Sequence, residues 1–181
     1  QGKALVLFTS NRLLEEVHNQ LKNAASSGFP GTEVLAQGFS GSRRRMHNRF
    51  MSADAAILLG SASYWEGIDF SDQAVEILVI TRLPFDPPHR PENAALQVYH
   101  QDKGKKAFYE EFLPRAMIRL KQGIGRLVRS RNTKGVVICL DDRLIKSNYS
   151  KRMLQMLPEG VGIKVANQTE INAEIQKFLK K

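Results

Sequence analysis

Leu5-Val6-Leu7-Phe8-Thr9-Ser10-Asn11 indicates the fold class, because an apolar run leads directly into residues that begin helices. The apolar run predicts a short buried strand that ends at Phe8. The side-chain oxygens of the polar residues after it can accept hydrogen bonds from the first turn of a helix. Apolar residues then recur at helical spacing, at Leu13, Leu14, Val17 and Leu21. The segment therefore predicts a strand that runs into an amphipathic helix.

The same alternation of strand and helix continues along most of the chain. Glu33–Ala36 is a candidate strand, and Ser42 can cap a helix that carries Met46 and Phe50. Apolar runs without polar alternation predict strands buried on both faces of a parallel sheet, at residues 55–60, 75–81 and 135–140. This pattern predicts an α/β fold, a three-layer sandwich with a mainly parallel β-sheet flanked by helices.

A proline-rich segment interrupts the alternation. In Leu83-Pro84-Phe85-Asp86-Pro87-Pro88 the prolines lack backbone donors and restrict the residues before them, which excludes a helix. We expect a helical and proline-rich excursion over about residues 84–113, with helix from about Glu92. Pro114 suits the first residue of a long helix that reaches about Arg129. The remaining pattern predicts a helix over about 145–157, a short strand over 161–166 and a terminal helix.

The composition is that of one globular domain. The chain has 181 residues, of which 42% are hydrophobic and 25% charged, so disordered, collagen-like and disulfide-rich classes are excluded. Its apolar runs are far shorter than the roughly 20 residues that cross a bilayer, so neither a membrane partner nor a signal peptide is predicted. Cys139 is the sole cysteine and should lie in the core, and the histidines lack metal-ligand spacing.

Positive charge is concentrated in one part of the chain. Lys and Arg number 27 and Asp and Glu 18, which gives a net charge of +9. Between Arg115 and Arg152 there are eleven basic residues and two acidic ones. Such a segment indicates a polyanionic partner, and a solvated face without a partner is the alternative.

Arginine lines one face of the predicted helix over residues 114–129. At about 100° per residue, one narrow stripe contains Arg115, Arg119, Gln122, Arg126 and Arg129. Like charges at this spacing repel, so we expect an anion to compensate the stripe. Gly123 and Gly125 each cost about 1 kcal/mol relative to alanine within a helix, which indicates close approach of the backbone to another group. Arginine suits phosphate oxygens, whereas a merely solvated helix would more readily use lysine and alanine.

Two motifs resemble those of a known family. Gln122-Gly123-Ile124-Gly125-Arg126-Leu127-Val128-Arg129 matches the Q-x-x-G-R-x-x-R element of superfamily 2 helicases. The loop Gly60-Ser61-Ala62-Ser63-Tyr64-Trp65-Glu66-Gly67-Ile68-Asp69 resembles the W-E-G-[IV]-D motif of the DinG-type branch, relatives of XPD, and it follows the right strand. The chain thus resembles the C-terminal RecA-like motor domain of a DinG-type, XPD-like, ATP-dependent DNA helicase.

Further segments extend this resemblance over most of the chain, from about Lys3 to Pro158. Leu5-Val6-Leu7-Phe8-Thr9-Ser10 is similar to the branch's first strand-end motif, and Leu83-Pro84-Phe85 to its L-P-F element. The sequence departs from the family at Phe70-Ser71-Asp72-Gln73, where relatives commonly carry a Pro-Gly pair.

The resemblance implies that residues 1–181 form the second RecA-like domain, as a fragment of a larger protein. No G-x-x-x-x-G-K-[ST] sequence occurs, so the phosphate-cradling loop of an ATPase is missing here. In the family the first RecA-like domain supplies that loop and the acids that bind Mg²⁺, and ATP lies between the two domains. We therefore expect the isolated chain to be inactive. The iron-sulphur cluster of some relatives belongs to the first domain and is not expected in this chain.

The resemblance also implies which residues act on the nucleotide. The expected catalytic residues, two arginine fingers and a group that hydrogen-bonds the γ-phosphate or the attacking water, are Arg126, Arg129 and Gln122. The expected nucleotide-binding residues are Glu66, Gly67, Asp69 and Gly125. Asp69 is the nucleotide-side contact of a loop that couples nucleotide to DNA, and a carboxylate that caps a turn is its alternative role.

A second group of residues is expected to contact single-stranded DNA. Hydroxyls and backbone N–H groups that follow strands can contact phosphates without reading sequence. The expected DNA contacts are Thr9, Ser10, Ser61, Ser63 and Trp65. Trp65 could stack on a base, and a packing anchor for its loop is an equal alternative. Asp141 and Asp142 follow a strand, and for them we favour helix capping over metal binding.

Three hypotheses for function follow. The first is an ATP-dependent helicase that translocates on single-stranded DNA, with 5′ to 3′ polarity and a bacterial, cytoplasmic location implied by the resemblance. The second is a non-unwinding single-stranded DNA-binding or ATPase module that regulates a linked exonuclease, since some bacterial relatives carry an N-terminal exonuclease domain. The third, a small-molecule nucleotide enzyme, is weakened because no G-x-G-x-x-G follows the first strand.

Overall fold

The computed structural model describes the chain except residues 1, 29, 66–74, 126, 128–134, 160 and 180–181, and except the side chains of residues 25–28, 62, 63 and 179. The described strands are β1 Lys3–Leu7, β2 Glu33–Ala36, β3 Ala56–Gly60, β4 Ile77–Ile80 and β5 Val136–Cys139. The described helices are α1 Asn11–Gly28, α2 Arg43–Ser52, α3 Ala62–Trp65, α4 Pro91–Asp102, α5 Leu113–Ile124, α6 Arg143–Lys146, α7 Ser150–Leu154 and α8 Gln168–Leu179, and a π-helical turn, Phe108–Phe112, leads into α5.

The strands form a parallel sheet in the order β2-β3-β1-β4-β5. β1 lies in the centre, with β3 and β4 as its neighbours. The chain passes from β1 to the β2 side of the sheet, returns through β3, and then crosses β1 to reach β4. This topology confirms the predicted mainly parallel sheet.

Helices cover both faces of the sheet, because successive strand residues point to opposite sides. On one face, Phe8 and Leu59 pack with Leu14 of α1. On the other face, Leu7 and Leu58 belong to a larger core with residues of α2, α3 and α5: Met46, Phe50, Trp65, Leu120 and Ile124. The predicted three-layer sandwich is therefore present.

The excursion after β4 is fixed to the end of this sandwich. Phe85 stacks on Phe108 with ring centroids 5.6 Å apart, and it meets Tyr149 edge-on at 5.7 Å. α4 begins at Pro91, close to the helix start expected at Glu92. α5 carries Pro114 in its first turn, where the missing N–H has no helical partner to lose.

The structure corrects four of the sequence predictions. The helix expected to reach about Arg129 ends at Ile124, where Gly125 is its C-cap residue. β5 is half-buried rather than buried on both faces, because it pairs only with β4 and ends the sheet. The helix predicted over 145–157 is divided into α6 and α7, because the backbone of Ser147 is extended at φ −79° and ψ 160°. Residues 161–167 form no strand: their apolar side chains Ile163 and Val165 are 54% and 67% exposed, and a strand requires a paired neighbour.

In the described part of the chain, no helix combines the length and the apolar character that crossing a membrane would require.

Candidate functional site

The candidate site lies at the edge of the sheet where the parallel strands have their carboxyl ends. The register pairs Leu7 of β1 with Gly60 of β3, so the residues after both strands leave the sheet side by side. Phe8 donates its backbone N–H to the Gly60 carbonyl with an N···O distance of 2.8 Å. Ligands of open parallel sheets bind at this edge, where connections leave in opposite directions. β1 connects to the β2 side and β4 to the β5 side, which places such a crevice above β1 and β4.

Thr9 and Ser10 are exposed at this edge. Ser10 begins α1, because its Oγ accepts the N–H of Leu13 at 3.4 Å and its carbonyl accepts the N–H of Leu14 at 3.1 Å. The amino end of a helix presents N–H groups and a partial positive charge, which favour a phosphate. Both residues therefore remain candidates for phosphate contact.

Ser61 has a different environment from the one its position suggested. It is only 5% exposed. Its backbone N–H and its hydroxyl both donate to Oε1 of Gln37, at 2.8 Å and 3.2 Å. Gln37 follows β2 at the same edge of the sheet, which is the signal that could have identified it. In this conformation Ser61 orders the loop after β3, and contact of its hydroxyl with a DNA phosphate stays a prediction.

The α3 turn holds Trp65 in the interior. The indole is 2% exposed, and its Nε1–H donates to the Phe8 carbonyl at 3.1 Å. Its six-membered ring lies on Gly123 of α5, where a Cβ would be 3.0 Å from Cζ3 and 3.1 Å from Cε3. A base can stack only on an accessible ring face. The buried indole therefore favours the packing alternative for Trp65 over base stacking, and its contact with DNA stays a prediction.

Tyr64 fixes the other side of the same turn. Its side chain is fully buried, and a Cβ on Gly60 would be 2.4 Å from Tyr64 Cγ and 2.5 Å from Tyr64 Cβ. The end of β3 thus requires glycine because an aromatic ring occupies the space of a side chain. Ser63 lies in α3, and its side chain is outside the described part. Glu66, Gly67 and Asp69, the expected nucleotide side of this loop, also lie outside the described residues.

Gly60→Ala is expected to destabilise the chain by about 2 kcal/mol, because overfilling a packed interior forces neighbouring atoms to move. The atoms that would have to move are Tyr64 Cβ and Cγ, which are close to the backbone and cannot rotate away. Chemical denaturation followed by circular dichroism measures the change. Gly162→Ala is the matched control, because nothing lies within 4 Å of the added Cβ. Equal stability losses in both variants would contradict this account of Gly60.

The first half of the arginine stripe is neutralised within the chain. Arg115 Nη2 lies 2.9 Å from Glu111 Oε2, one turn earlier. Arg119 Nη1 lies 2.6 Å from Oδ1 of Asp86, in the proline-rich excursion. The anions expected for these two arginines are thus carboxylates of the same chain. Sequence patterns did not identify either pairing, because Asp86 precedes Arg119 by 33 residues and the predicted helix begins only at Pro114, after Glu111.

The second half of the stripe begins at Gln122, which is exposed in the last turn of α5. Gly125 ends the helix and donates its N–H to the Lys121 carbonyl at 2.8 Å. A Cβ on Gly125 would be 3.2 Å from that carbonyl oxygen. The close approach expected at Gly123 is confirmed, and its neighbour is the Trp65 ring. Arg126 and Arg129, the expected arginine fingers, lie outside the described residues.

Asp141 organises the neighbouring strand end. Its carboxylate accepts the backbone N–H of Leu83 at 2.9 Å and bonds of 2.9 Å and 2.6 Å from Nε and Nη2 of Arg143. Desolvation by burial would raise the pKa of Asp141, but the hydrogen bonds from Arg143 and Leu83 outweigh it and lower the pKa. Asp142 pairs with Lys146 at 3.0 Å. Asp141 Oδ1 also accepts the backbone N–H of Arg143, the first residue of α6, at 3.1 Å. Asp142, the N-cap residue of α6, makes no side-chain capping bond, so the capping interpretation holds for Asp141 and not for Asp142.

Among the described residues, no three His, Cys, Asp or Glu side chains come together as metal ligands could. Cys139 is partly buried and packs against the larger core, and burial raises the pKa of its thiol. The cysteine thus lies beside the larger core, on the edge strand, and is not fully buried.

Comparison with known proteins gives consistent matches. Residues 1–160 match the family described as the helicase C-terminal domain. A Bacillus subtilis (strain 168) protein named 3'-5' exonuclease DinG is 42% identical over 159 residues, 87% of this chain and 17% of the relative. A Staphylococcus aureus (strain MSSA476) protein of the same name is 33% identical over 177 residues, 98% of this chain and 18% of the relative. An Escherichia coli (strain K12) protein named ATP-dependent DNA helicase YoaA is 34% identical over 157 residues, 87% of this chain and 24% of the relative.

Solved structures agree on the fold. The structure named XPD_Helicase superposes with a TM-score of 0.57 and 22% identity, over 86% of this chain and 27% of that one. The structure named Mss116p DEAD-box helicase domain 2 bound to an RNA duplex gives a TM-score of 0.51 and 14% identity, over 99% of this chain and 58% of that one. These likenesses confirm the RecA-like sandwich. The chain spans 17% to 24% of the length of the curated relatives described above.

Proposed function

Because this chain belongs to the helicase C-terminal domain family, in the DinG-type branch related to XPD, we propose that it is the second motor domain of an ATP-dependent DNA helicase. The domain acts on single-stranded DNA and completes an ATP site whose phosphate-binding loop lies on a first RecA-like domain of the same polypeptide. The 5′ to 3′ polarity remains part of this proposal and rests on the motif resemblance.

The observation that supports the proposal best is the division of the arginine stripe. Arg115 and Arg119 are matched by Glu111 and Asp86 of the same chain. Gln122 is exposed one turn later. The part of the stripe that the proposal assigns to the nucleotide begins at the neutral side chain of Gln122 and continues, in sequence, to Arg126 and Arg129.

The nucleotide chemistry follows from charge. Phosphoryl transfer to water accumulates charge on the γ-phosphate, and an inserted arginine contributes about 10³ to 10⁵ in rate. In the proposal Arg126 and Arg129 neutralise that charge and Gln122 hydrogen-bonds a γ-phosphate oxygen or the attacking water. Asp69, with Glu66 and Gly67, contacts the nucleotide from the loop that follows Trp65. When bound, Mg²⁺ supplies further neutralisation, and the proposal assigns its ligands to the first domain.

DNA contact is assigned to the exposed edge after β1. Thr9 and Ser10 offer hydroxyls and backbone N–H groups next to the amino end of α1, which suits phosphates and reads no base sequence. Ser63 remains in the proposal by resemblance. The net charge of +9 favours association with a polyanion at low salt.

We expect the isolated chain to bind single-stranded DNA weakly and to hydrolyse no ATP. Phosphate-led binding should weaken steeply with salt, because each phosphate contact releases counterions. Fluorescence anisotropy of a labelled oligonucleotide over a salt series measures the slope, and a phosphate-release assay measures turnover. An affinity that does not change with salt would argue against phosphate contacts. ATP turnover by the isolated chain would contradict the proposed division of the site.

A second candidate function is favoured by the names of two relatives, which are called exonucleases. In that case the domain would belong to a DNA-binding or ATPase module that regulates a linked exonuclease and separates no strands. A strand-displacement assay on the full-length polypeptide distinguishes the two candidates. ATP consumption without displacement would favour the module, and ATP-dependent displacement the helicase.

A further inference from the structure

Trp65 contacts two segments that the proposed function assigns to different ligands. Its Nε1–H donates to the Phe8 carbonyl at 3.1 Å, directly before Thr9 and Ser10 on the proposed DNA side. Its six-membered ring lies on Gly123, one residue after Gln122 on the proposed nucleotide side. The same residue also precedes Glu66, the first residue of the loop expected to couple nucleotide to DNA.

The contact with Phe8 is more than incidental packing. Phe8 is fully buried, and its carbonyl follows the last ladder position of β1. A buried carbonyl without a partner costs about 1 to 3 kcal/mol. The preceding carbonyl, that of Leu7, accepts from the backbone N–H and Oγ1 of Thr81 at 3.1 Å and 3.0 Å. The indole N–H thus satisfies the carbonyl at which β1 turns toward its exposed hydroxyls.

The Trp65 ring packs closely on Gly123. A Cβ at 3.0 Å and 3.1 Å from two ring carbons would be tighter than ordinary van der Waals contact, so the indole would have to shift to admit a side chain at this position of α5. A movement of α5 toward the ring would displace the indole, because protein interiors are close-packed and leave few voids. Tyr64 holds the α3 turn against Gly60. The α3 turn is therefore held in place, and from it the Trp65 side chain contacts both the end of β1 and the end of α5.

We propose that Trp65 is a positioning residue that couples DNA contact at Thr9 and Ser10 to the placement of Gln122. This inference rests on the proposed function and deepens it, because it names the contact through which the two sides communicate. Trp65 acts on the ends of β1 and α5 and touches neither ligand.

Trp65→Phe tests the coupling in the full-length polypeptide. Phenylalanine keeps an aromatic ring in the core, but it loses the N–H that bonds to Phe8 and the reach of the indole over Gly123. The readouts are ATP turnover without DNA and with saturating single-stranded DNA. We expect the stimulation by DNA to fall about tenfold, and turnover without DNA to fall by much less.

Tyr64→Phe is the matched control. It changes the adjacent buried aromatic residue of the same turn, and it removes a hydroxyl that has no hydrogen-bond partner among the described residues. Its stimulation by DNA should equal that of wild type. Thermal melting of both variants verifies that they remain folded at the assay temperature.

The outcomes separate this inference from the proposed function. Wild type without any DNA-stimulated turnover would overturn the proposed function and the coupling together. Wild-type stimulation that persists in Trp65→Phe would overturn the coupling alone. A parallel fall of turnover with and without DNA would show a purely structural role for Trp65 and would also overturn the coupling. Loss of stimulation in Trp65→Phe but not in Tyr64→Phe supports it.

Discussion

Arg126→Ala and Arg129→Ala should each lower DNA-stimulated ATP turnover of the full-length polypeptide by at least about two orders of magnitude. The reason is electrostatic: an arginine at the γ-phosphate stabilises charge that develops only in the transition state. Nucleotide binding should be largely retained, because the phosphate-binding loop of the proposed first domain is unchanged. Steady-state turnover and equilibrium binding of a fluorescent ATP analogue measure the two effects separately.

Arg115→Ala is the control for these variants. Arg115 belongs to the same stripe and carries the same charge, but it pairs with Glu111 and its side chain is 42% exposed. Exposed ion pairs of this kind contribute about 0 to 1 kcal/mol, so its turnover should match that of wild type. Unchanged turnover in Arg126→Ala and Arg129→Ala would show that these arginines do not act at the γ-phosphate. They would then be assigned to DNA contact or to the solvated surface, and the binding-module alternative would be favoured. Equal losses in all three variants would indicate a general effect of charge.

Asp141→Ala should reduce the free energy of unfolding by about 3 kcal/mol. The side chain is 6% exposed, and its removal leaves the Leu83 N–H and the Arg143 guanidinium without their acceptor. The estimate lies at the low end of the range for a broken buried pair, because Arg143 is 48% exposed and can regain water. Urea denaturation at neutral pH measures the change.

The same carboxylate predicts a pH dependence. The pKa of Asp141 is lowered in the folded chain, so the unfolded chain binds the proton more tightly. The stabilisation is complete above the unfolded pKa, which is about 4 for an aspartate, and is lost as the pH falls through the lower folded pKa. Asp141→Asn should therefore flatten the decline in stability below about pH 4. An unchanged acid limb in this variant would show that other carboxylates determine it.

The fold class follows from patterns that extend over only a few residues. Continuous apolar runs at β1, β3 and β4 alternate with helical periodicity, and this alternation is compatible with few arrangements besides a parallel α/β sandwich. The sequence pattern alone gave a wrong prediction where the burial or pairing of a segment depends on the strand next to it. β5 is an uninterrupted apolar run like β3 but lies at the edge of the sheet. Residues 161–167 are not paired with a described strand.

The candidate site was only partly predictable for the same reason. Motif spacing located Gln122 and the strand-end hydroxyls, since both depend on positions close in sequence. The bond between Trp65 and Phe8 joins residues 57 apart, and that between Leu83 and Asp141 joins residues 58 apart. Such pairs are set by strand register and helix packing, and the spacing of motifs along the sequence predicts neither of them.

By itself, the sequence determined the class of fold, the order of strands and helices along the chain, and the motifs that indicate a helicase motor domain, because each is encoded in local periodicity or spacing. The tertiary structure alone decided that Ser61 is bonded to Gln37, that the Trp65 indole is buried on Gly123, and that Asp86 neutralises Arg119. These outcomes depend on which side chains meet across the sheet and the excursion, and burial then determines whether a polar or aromatic group remains available to a ligand.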